Sequence, residues 1–283
     1  VTPDELAARY PPQEPLSEAG RAYAAECLRR GAGLAFEEAE YGADPYQRLS
    51  IFRASRPDGR VLVFWHGGGW TSGYREWMHF NAPSFTAAGV TFVAPGYRLA
   101  PRHVFPTGYE DCMRALAWVH AHIAAYGGDP ARLFVGGHSA GGHYAALLAA
   151  RRDWPSRVDL PANVIRGAIP VSGTYWFGAD SGLSVRPRFL GPDSLDRRVE
   201  DEASPIRRLE PPLPPLLVFH GAEDFPHLSR QAEAFESAAR AAGGEALRVV
   251  MPGRNHFSAH YACGEPDGPM VPAALDFMAR HTR

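Results

Sequence analysis

The chain predicts an α/β fold built on a mainly parallel sheet with helices on both faces, and two observations carry that reading. Short, almost wholly apolar runs, among them R-V-L-V-F-W (60–65), V-T-F-V-A-P (90–95) and P-L-L-V-F-H (215–220), alternate with helix-patterned segments. Strands apolar at every position are those buried on both faces. The composition agrees: of 283 residues 45% are hydrophobic and 21% charged, average for a globular protein with a large core.

The elements follow in order. Pro11, Pro12 and Pro15 precede a helical spacing over 17–30 that stops at Gly31 and Gly33. Residues 1–45 therefore read as an N-terminal arm and one helix lying over the main body. Strands are expected at 34–40, 48–54, 60–65, 90–95, 131–136, 164–171, 215–220 and 246–251. Helices are expected at 76–88, 108–126, 140–152, 228–242 and 270–281. Residues 174–210 break the rhythm with Gly, Pro and charges, as a lid-like insertion would. Their aromatics, Tyr175, Trp176, Phe177 and Phe189, argue for packing over something. Residues 1–283 read as a single domain.

Charge and cysteine usage exclude whole classes. Lys plus Arg total 29 against 31 Asp plus Glu, a net charge of -2, so no basic excess is available to bind nucleic acid. A pI of 6.7 gives no pull toward anionic membranes. The longest apolar runs, such as 144–150, fall far short of the ~20 residues that span a bilayer. Cys27, Cys112 and Cys263 are sparse, odd in number and far apart, which reads as reduced thiols. The start, V-T-P-D-E-L, has no signal-peptide pattern and no initiator Met. A cytoplasmic protein is expected, with a homodimer left open.

Two motifs carry chemistry. G-H-S-A-G at 137–141 follows the apolar strand Leu133-Phe134-Val135 and opens an Ala/Leu-rich helix. In such a strand-turn-helix elbow Ser139 sits on a tight turn that lifts its hydroxyl clear of the sheet. Gly137, Ala140 and Gly141 are small, as that turn demands. H-G-G-G-W at 66–70 directly follows another strand. Successive glycines let backbone N–H groups approach a developing oxyanion that side chains would block. The expected donors are the N–H groups of Gly68, Gly69 and Ala140.

These motifs, with G-Y-R-L-A-P at 96–101 and G-G-D-P-A-R-L-F-V-G-G-H-S-A-G-G at 127–142, resemble the α/β-hydrolases. The resemblance is strongest to hormone-sensitive-lipase-like carboxylesterases and kynurenine formamidases (arylformamidases), and covers roughly residues 40–282. Trp70 after the glycines, and His138 where the lipase-like esterases usually carry Asp, pull toward the formamidases. R-L-A-P and the third glycine pull toward the esterases. The resemblance implies an α/β-hydrolase fold and a triad in the order Ser, acid, His. L-L-V-F-H-G-A-E-D-F at 216–225 offers Glu223 and Asp224, and the resemblance favours Asp224. V-V-M-P-G-R-N-H-F then supplies His256 on a loop, 32 positions on (256 − 224), with His260 and His227 as rivals.

A serine hydroxyl is a poor nucleophile, so His256 would take its proton while Asp224 fixes the imidazole tautomer. No H-E-x-x-H occurs among the twelve histidines, and neither G-x-G-x-x-G nor G-K-[ST] is present, so no metal or cofactor is expected. His66 reads as a brace for the glycine loop, and Tyr97 and Arg98 as anchors beneath it. Trp70, Trp176, Phe177, Phe225 and Phe257 fall at the catalytic end and suggest an apolar acyl or aryl pocket. Arg186 or Arg188 is a candidate for a substrate carboxylate. The expected activity is hydrolysis of a small carboxylic ester or aryl formamide through an acyl-enzyme. The alternatives are a catalytically inactive small-molecule receptor on this fold, as the plant gibberellin receptors resemble this group, and another hydrolase-fold chemistry such as acyl transfer.

Overall fold

The computed structural model describes residues 2–282. Among these residues an eight-stranded sheet runs in the order β1-β2-β4-β3-β5-β6-β7-β8. The strands are β1 Glu37–Glu40, β2 Arg48–Phe52, β3 Gly59–Trp65, β4 Thr91–Pro95, β5 Gly128–His138, β6 Ile165–Val171, β7 Leu216–Glu223 and β8 Ala246–Asn255. Only β2 runs against its neighbours; β4, β3, β5, β6, β7 and β8 pair in parallel. The helices are α1 Pro3–Ala7, α2 Glu18–Arg30, α3 Ala82–Thr86, α4 Thr107–His122, α5 Ala140–Ala150, α6 Arg186–Leu190, α7 Arg197–Ala203, α8 Pro226–Ala241, α9 His256–Tyr261 and α10 Val271–Arg280. No helix among the described residues is long and apolar enough to cross a membrane.

The apolar runs become strands because each must feed two cores. Side chains alternate across a strand, so Val61, Val63 and Trp65 enter one core while Leu62 and Phe64 enter the other. Strands β5 and β7 divide likewise: Leu133, Val135, Leu216 and Val218 face one way, Phe134, Leu217 and Phe219 the other. Helices α4, α5 and α8 fill the first core, and α2, α3, α9 and α10 the second. Each Leu, Val or Phe withdrawn from water contributes roughly 1.5–3 kcal/mol, which outweighs the order lost on fixing an otherwise unpatterned run.

Each expected strand is present, and the departures have local causes. The helix expected over 76–88 splits into a 3₁₀ segment, Arg75–Asn81, and α3, whose Pro83 lacks the N–H that a continuous helix would need. The helix expected over 108–126 gives way to a 3₁₀ turn closed by Gly127 at φ 84°. The expected loop at His256 is a helix instead: Asn255 caps it by accepting from the N–H groups of Phe257 and Ser258, and His256 is its first residue. Segment 174–210 contains α6 and α7, and it is anchored to α8 where Gln231 Oε1 accepts from the N–H groups of Tyr175 and Trp176 at 2.8 and 2.9 Å. The arm ahead of α2 is tied down too. Gln13 clasps Gly73 through both its amide groups, at 2.9 and 2.8 Å, and the Tyr10 hydroxyl donates to Glu76 at 2.9 Å.

Five of the histidines buried in this packing carry an acid liability. His66, His79, His138, His143 and His260 are each 5% exposed or less. Burial disfavours the charged ring and pushes His66 down to about 4 and His79 and His143 to about 3, with His138 and His260 also lowered. The unfolded chain protonates such rings at the ordinary value of about 6.5, whereas the folded chain resists protonation. Stability is therefore full above that value and is lost as pH falls below it. One pH unit lower, each ring costs about 1.4 kcal/mol and the five together about 7 kcal/mol, comparable to the stability of an ordinary domain. The fold should melt cooperatively on acidification, with a midpoint near pH ~5 by circular dichroism. An undiminished urea midpoint at pH ~4 would show that the rings are accommodated charged.

Candidate active site

Ser139 stands between β5 and α5 with φ 55° and ψ -115°, a conformation that non-glycine residues rarely adopt and that costs about 1–3 kcal/mol. The surroundings hold it there. Its N–H donates to Val171 O and its carbonyl accepts from His143 N–H, each at 2.9 Å. A Cβ on Gly141 would lie 2.1 Å from Trp65 O, so glycine alone lets α5 leave the sheet this close to β3.

The structure brings Ser139, His256 and Asp224 into one line. His256 Nε2 is 3.0 Å from Ser139 Oγ, and its Nδ1 is 2.9 Å from Asp224 Oδ1. A carboxylate only accepts, so Nδ1 carries the proton and Nε2 turns a lone pair to the serine. Asp224 also accepts from the Ser172 hydroxyl at 2.5 Å and from Phe225 N–H at 2.7 Å. Burial alone would raise its pKa. The hydrogen bond and charge of His256, joined by the two other donors, outweigh burial and hold it at about 2. Glu223 is exposed and outside this line, while His227 stacks on Phe225. His260 is fully buried, 4.9 Å from the His138 ring.

The glycine loop folds beside the serine. Gly68 and Gly69 take φ 117° and 62°, and a Cβ on Gly68 would lie 1.9 Å from Ser72 O, so no side chain fits. Among the described residues, the N–H groups of Gly68, Gly69 and Ala140 have no acceptor within the chain. His66 and Tyr97 brace the loop, their rings stacked at 4.2 Å and the Tyr97 hydroxyl donating to His66 O. Arg98 grips Asp111 through two nitrogens at 2.8 Å.

The five aromatics expected at a pocket do not form one wall. Trp70 and Phe177 are 5.2 Å apart and packed with Phe189 and His143; Trp70 is 3% exposed and Phe177 enclosed. Phe225 and Phe257 instead flank His256, at 4.8 and 5.7 Å. Phe225 is the open one, 47% exposed. Trp176 stands apart beneath the Arg207 guanidinium. Arg186 is buried and already engaged by Glu200 and Phe177 O, and Arg188 pairs with Glu14, which removes Arg186 as a carboxylate receptor.

Sequence reasoning missed Ser172, whose only signal is a serine at a strand end. It also missed His143, which accepts from Trp70 Nε1–H at 3.0 Å and donates from Nε2 to Ala203 O at 2.8 Å. The i, i+4 spacing of Ser139 and His143 along α5 could have pointed to it.

Comparison with known proteins bears on the fold. Residues 62–183 match the model of a family described as having the alpha/beta hydrolase fold. The chain is 31% identical over 275 residues to esterase LipC of Mycobacterium tuberculosis, covering 90% of this chain and 66% of that protein. It is 33% identical over 226 residues to esterase LipQ of the same organism, covering 74% and 53%. The chain thus spans between half and two thirds of the length of these relatives. Among solved structures, a thermophilic esterase from Thermogutta terrifontis superposes with a TM-score of 0.71 at 24% identity, covering 87% of this chain and 94% of that one. This chain has the α/β-hydrolase fold.

Proposed function

We propose that the protein is a serine carboxylesterase acting on small esters, with Ser139 as nucleophile, His256 as base and Asp224 as its orienting acid. The observation that carries this reading is the continuous line from Ser139 through His256 to Asp224, at 3.0 and 2.9 Å. The relatives named as esterases support it.

The chemistry follows from those contacts. His256 Nε2 takes the Ser139 proton as Oγ attacks the ester carbonyl, and the negative charge collects on the carbonyl oxygen. The N–H groups of Gly68, Gly69 and Ala140 face that charge at no reorganisation cost, because they have no other acceptor. The tetrahedral adduct collapses as His256 returns the proton to the leaving alcohol, which yields an acyl-serine. Water, deprotonated by His256, then attacks the acyl-serine, and the acid leaves. The leaving group departs on the His256 side, where the open Phe225 ring offers apolar contact. Trp70, Phe177 and Phe189 already occupy one another's faces, which favours a compact acyl group.

Esters are favoured over formamides because the residues that pulled toward the latter turn inward. Trp70 donates to His143, and His138 lies 2.9 Å from His256 O.

Ser139→Ala and His256→Ala should each lower kcat by about 10⁴-fold or more, with Asp224→Asn losing less. An organophosphate should label Ser139 alone by peptide mass spectrometry. Near-normal turnover in Ser139→Ala would overturn the mechanism. Ser172→Ala removes one donor from Asp224 and should cut kcat by about tenfold or less without changing KM. Because Asp224 stays ionised down to about 2, kcat/KM measured at pH values where the fold is intact should show no acid limb from its carboxylate. Across p-nitrophenyl esters of two to sixteen carbons, kcat/KM should peak at short chains. A peak at ten carbons or more refutes the compact pocket, and faster turnover of N-formylkynurenine than of any ester would return the formamidase reading.

A further inference from the structure

Next to His256, a chain of hydrogen bonds crosses the second core. Asn81 Nδ2 is 3.0 Å from His260 Nε2, and His260 Nδ1 is 2.8 Å from the Tyr23 hydroxyl. That hydroxyl is 3.3 Å from His138 Nδ1, and His138 Nε2 is 2.9 Å from the main-chain oxygen of His256. Tyr23 is 4% exposed, and Asn81, His138 and His260 are 1% or less. Both rings are kept neutral by burial, so each carries one proton and the position of that proton matters.

One arrangement uses every nitrogen. The His256 carbonyl only accepts, so His138 must hold its proton on Nε2, which leaves Nδ1 in need of a donor. Tyr23 supplies its O–H there. The Tyr23 oxygen then accepts from His260 Nδ1–H, and the lone pair on His260 Nε2 accepts from the Asn81 amide. Reversing the Asn81 amide would make His260 Nδ1 an acceptor, facing the Tyr23 hydroxyl at 2.8 Å and Cys27 Sγ at 3.8 Å, so that either His138 Nδ1 or the Tyr23 oxygen would be left without a donor.

We propose that Tyr23, on the N-terminal helix α2, is a positioning residue for His256. Its hydroxyl gives His138 Nδ1 the donor it needs and so holds the ring whose Nε2–H donates to the His256 carbonyl, which fixes the backbone that carries the imidazole. The proposal rests on His256 being the base. Tyr23 touches no substrate: its ring packs on Trp77, Phe257 and Tyr261. Without that hydroxyl, His138 Nδ1 is buried with no donor, and the ring must shift from its place to find one, carrying its Nε2–H away from the His256 oxygen. The base would then lose its fixed distance to Ser139, and small misplacements of reacting groups are costly.

Tyr23→Phe keeps the ring and removes only the oxygen. It should lower kcat about tenfold with KM within about twofold, and slow organophosphate labelling of Ser139 in parallel. The decisive comparison repeats it in a His138→Gln background. A glutamine amide nitrogen can stand where Nε2 stands, and its N–H does not depend on a tautomer. There Tyr23→Phe should change kcat by less than about twofold. An equal loss in both backgrounds, or no loss in the wild-type one, means the hydroxyl serves packing alone and overturns the proposal. A second readout does not need His138→Gln to fold. Long-range ¹H–¹⁵N spectra of histidine-labelled protein should show His138 protonated on Nε2, with its Nδ1 resonance moving downfield in Tyr23→Phe as it loses its donor. Unchanged nitrogen shifts would also overturn it. Failure here leaves the esterase reading intact, because that reading stands or falls on Ser139→Ala.

Discussion

The backbone of Ser139 is the constraint on which the rest of the site depends. Holding a non-glycine residue at φ 55° requires β5, β3 and the start of α5 to converge more closely than side chains permit. Gly137 and Gly141 meet that requirement, since a Cβ on the first would lie 2.4 Å from Gly141 C and on the second 2.1 Å from Trp65 O. The same convergence presses the glycine loop after β3 against the serine. A Cβ on Gly67 would stand 3.0 Å from Ser139 Cβ. The serine hydroxyl and the N–H groups of the glycine loop are thus placed by one packing event. Helix α5 is buried along its whole length, which leaves the strained turn no route to relax.

Much of this architecture was legible from residues alone because it rests on local rules. An apolar run such as Val61 to Trp65 can lie only between two cores, and a glycine-flanked serine between strand and helix has few other uses. Asp224 and His256, proposed here as acid and base, were chosen partly on the family resemblance. Their order and their positions at strand ends restrict the choice, and the rivals fail on burial: Glu223 faces water, and His260 is sealed in the core. What stayed illegible is side-chain partnership across long separations. Nothing near Trp70 announces His143, 73 positions on, and nothing near His138 announces Tyr23, 115 positions back. Trp70 and Phe177 read as pocket lining because aromatic residues on loops have no periodicity to mark them buried.

Histidine burial gives the molecule its second organising theme. A buried charged ring would need a partner, whereas a neutral ring offers one donor and one acceptor in fixed opposition. His143 uses that pair to join Trp70 of the glycine loop to Ala203 at the end of α7. His138 joins the backbone of His256 to α2 by the same means. Each ring ties a segment outside the main alternation to a part of the site. The cost is acid sensitivity, since protonation turns the acceptor side of each ring into a second donor facing a donor.

The N-terminal arm and segment 174–210 converge on the same loop from opposite sides. Gln13 holds Gly73, Glu14 N–H donates to Thr71 O, and Glu14 pairs with Arg188 of α6. From the other side, Ala203 reaches Trp70 through His143. The Glu14–Arg188 pair is half-exposed and adds little energy of its own. The buried links to Gly73 and Trp70 hold the geometry. A glycine loop is soft by composition, and Trp70, a non-glycine residue held at φ 62°, adds strain to it. Its N–H groups can face a developing charge only if something else fixes their direction. The two appended segments do so, and they act as structural parts of the proposed oxyanion site as much as covers over it.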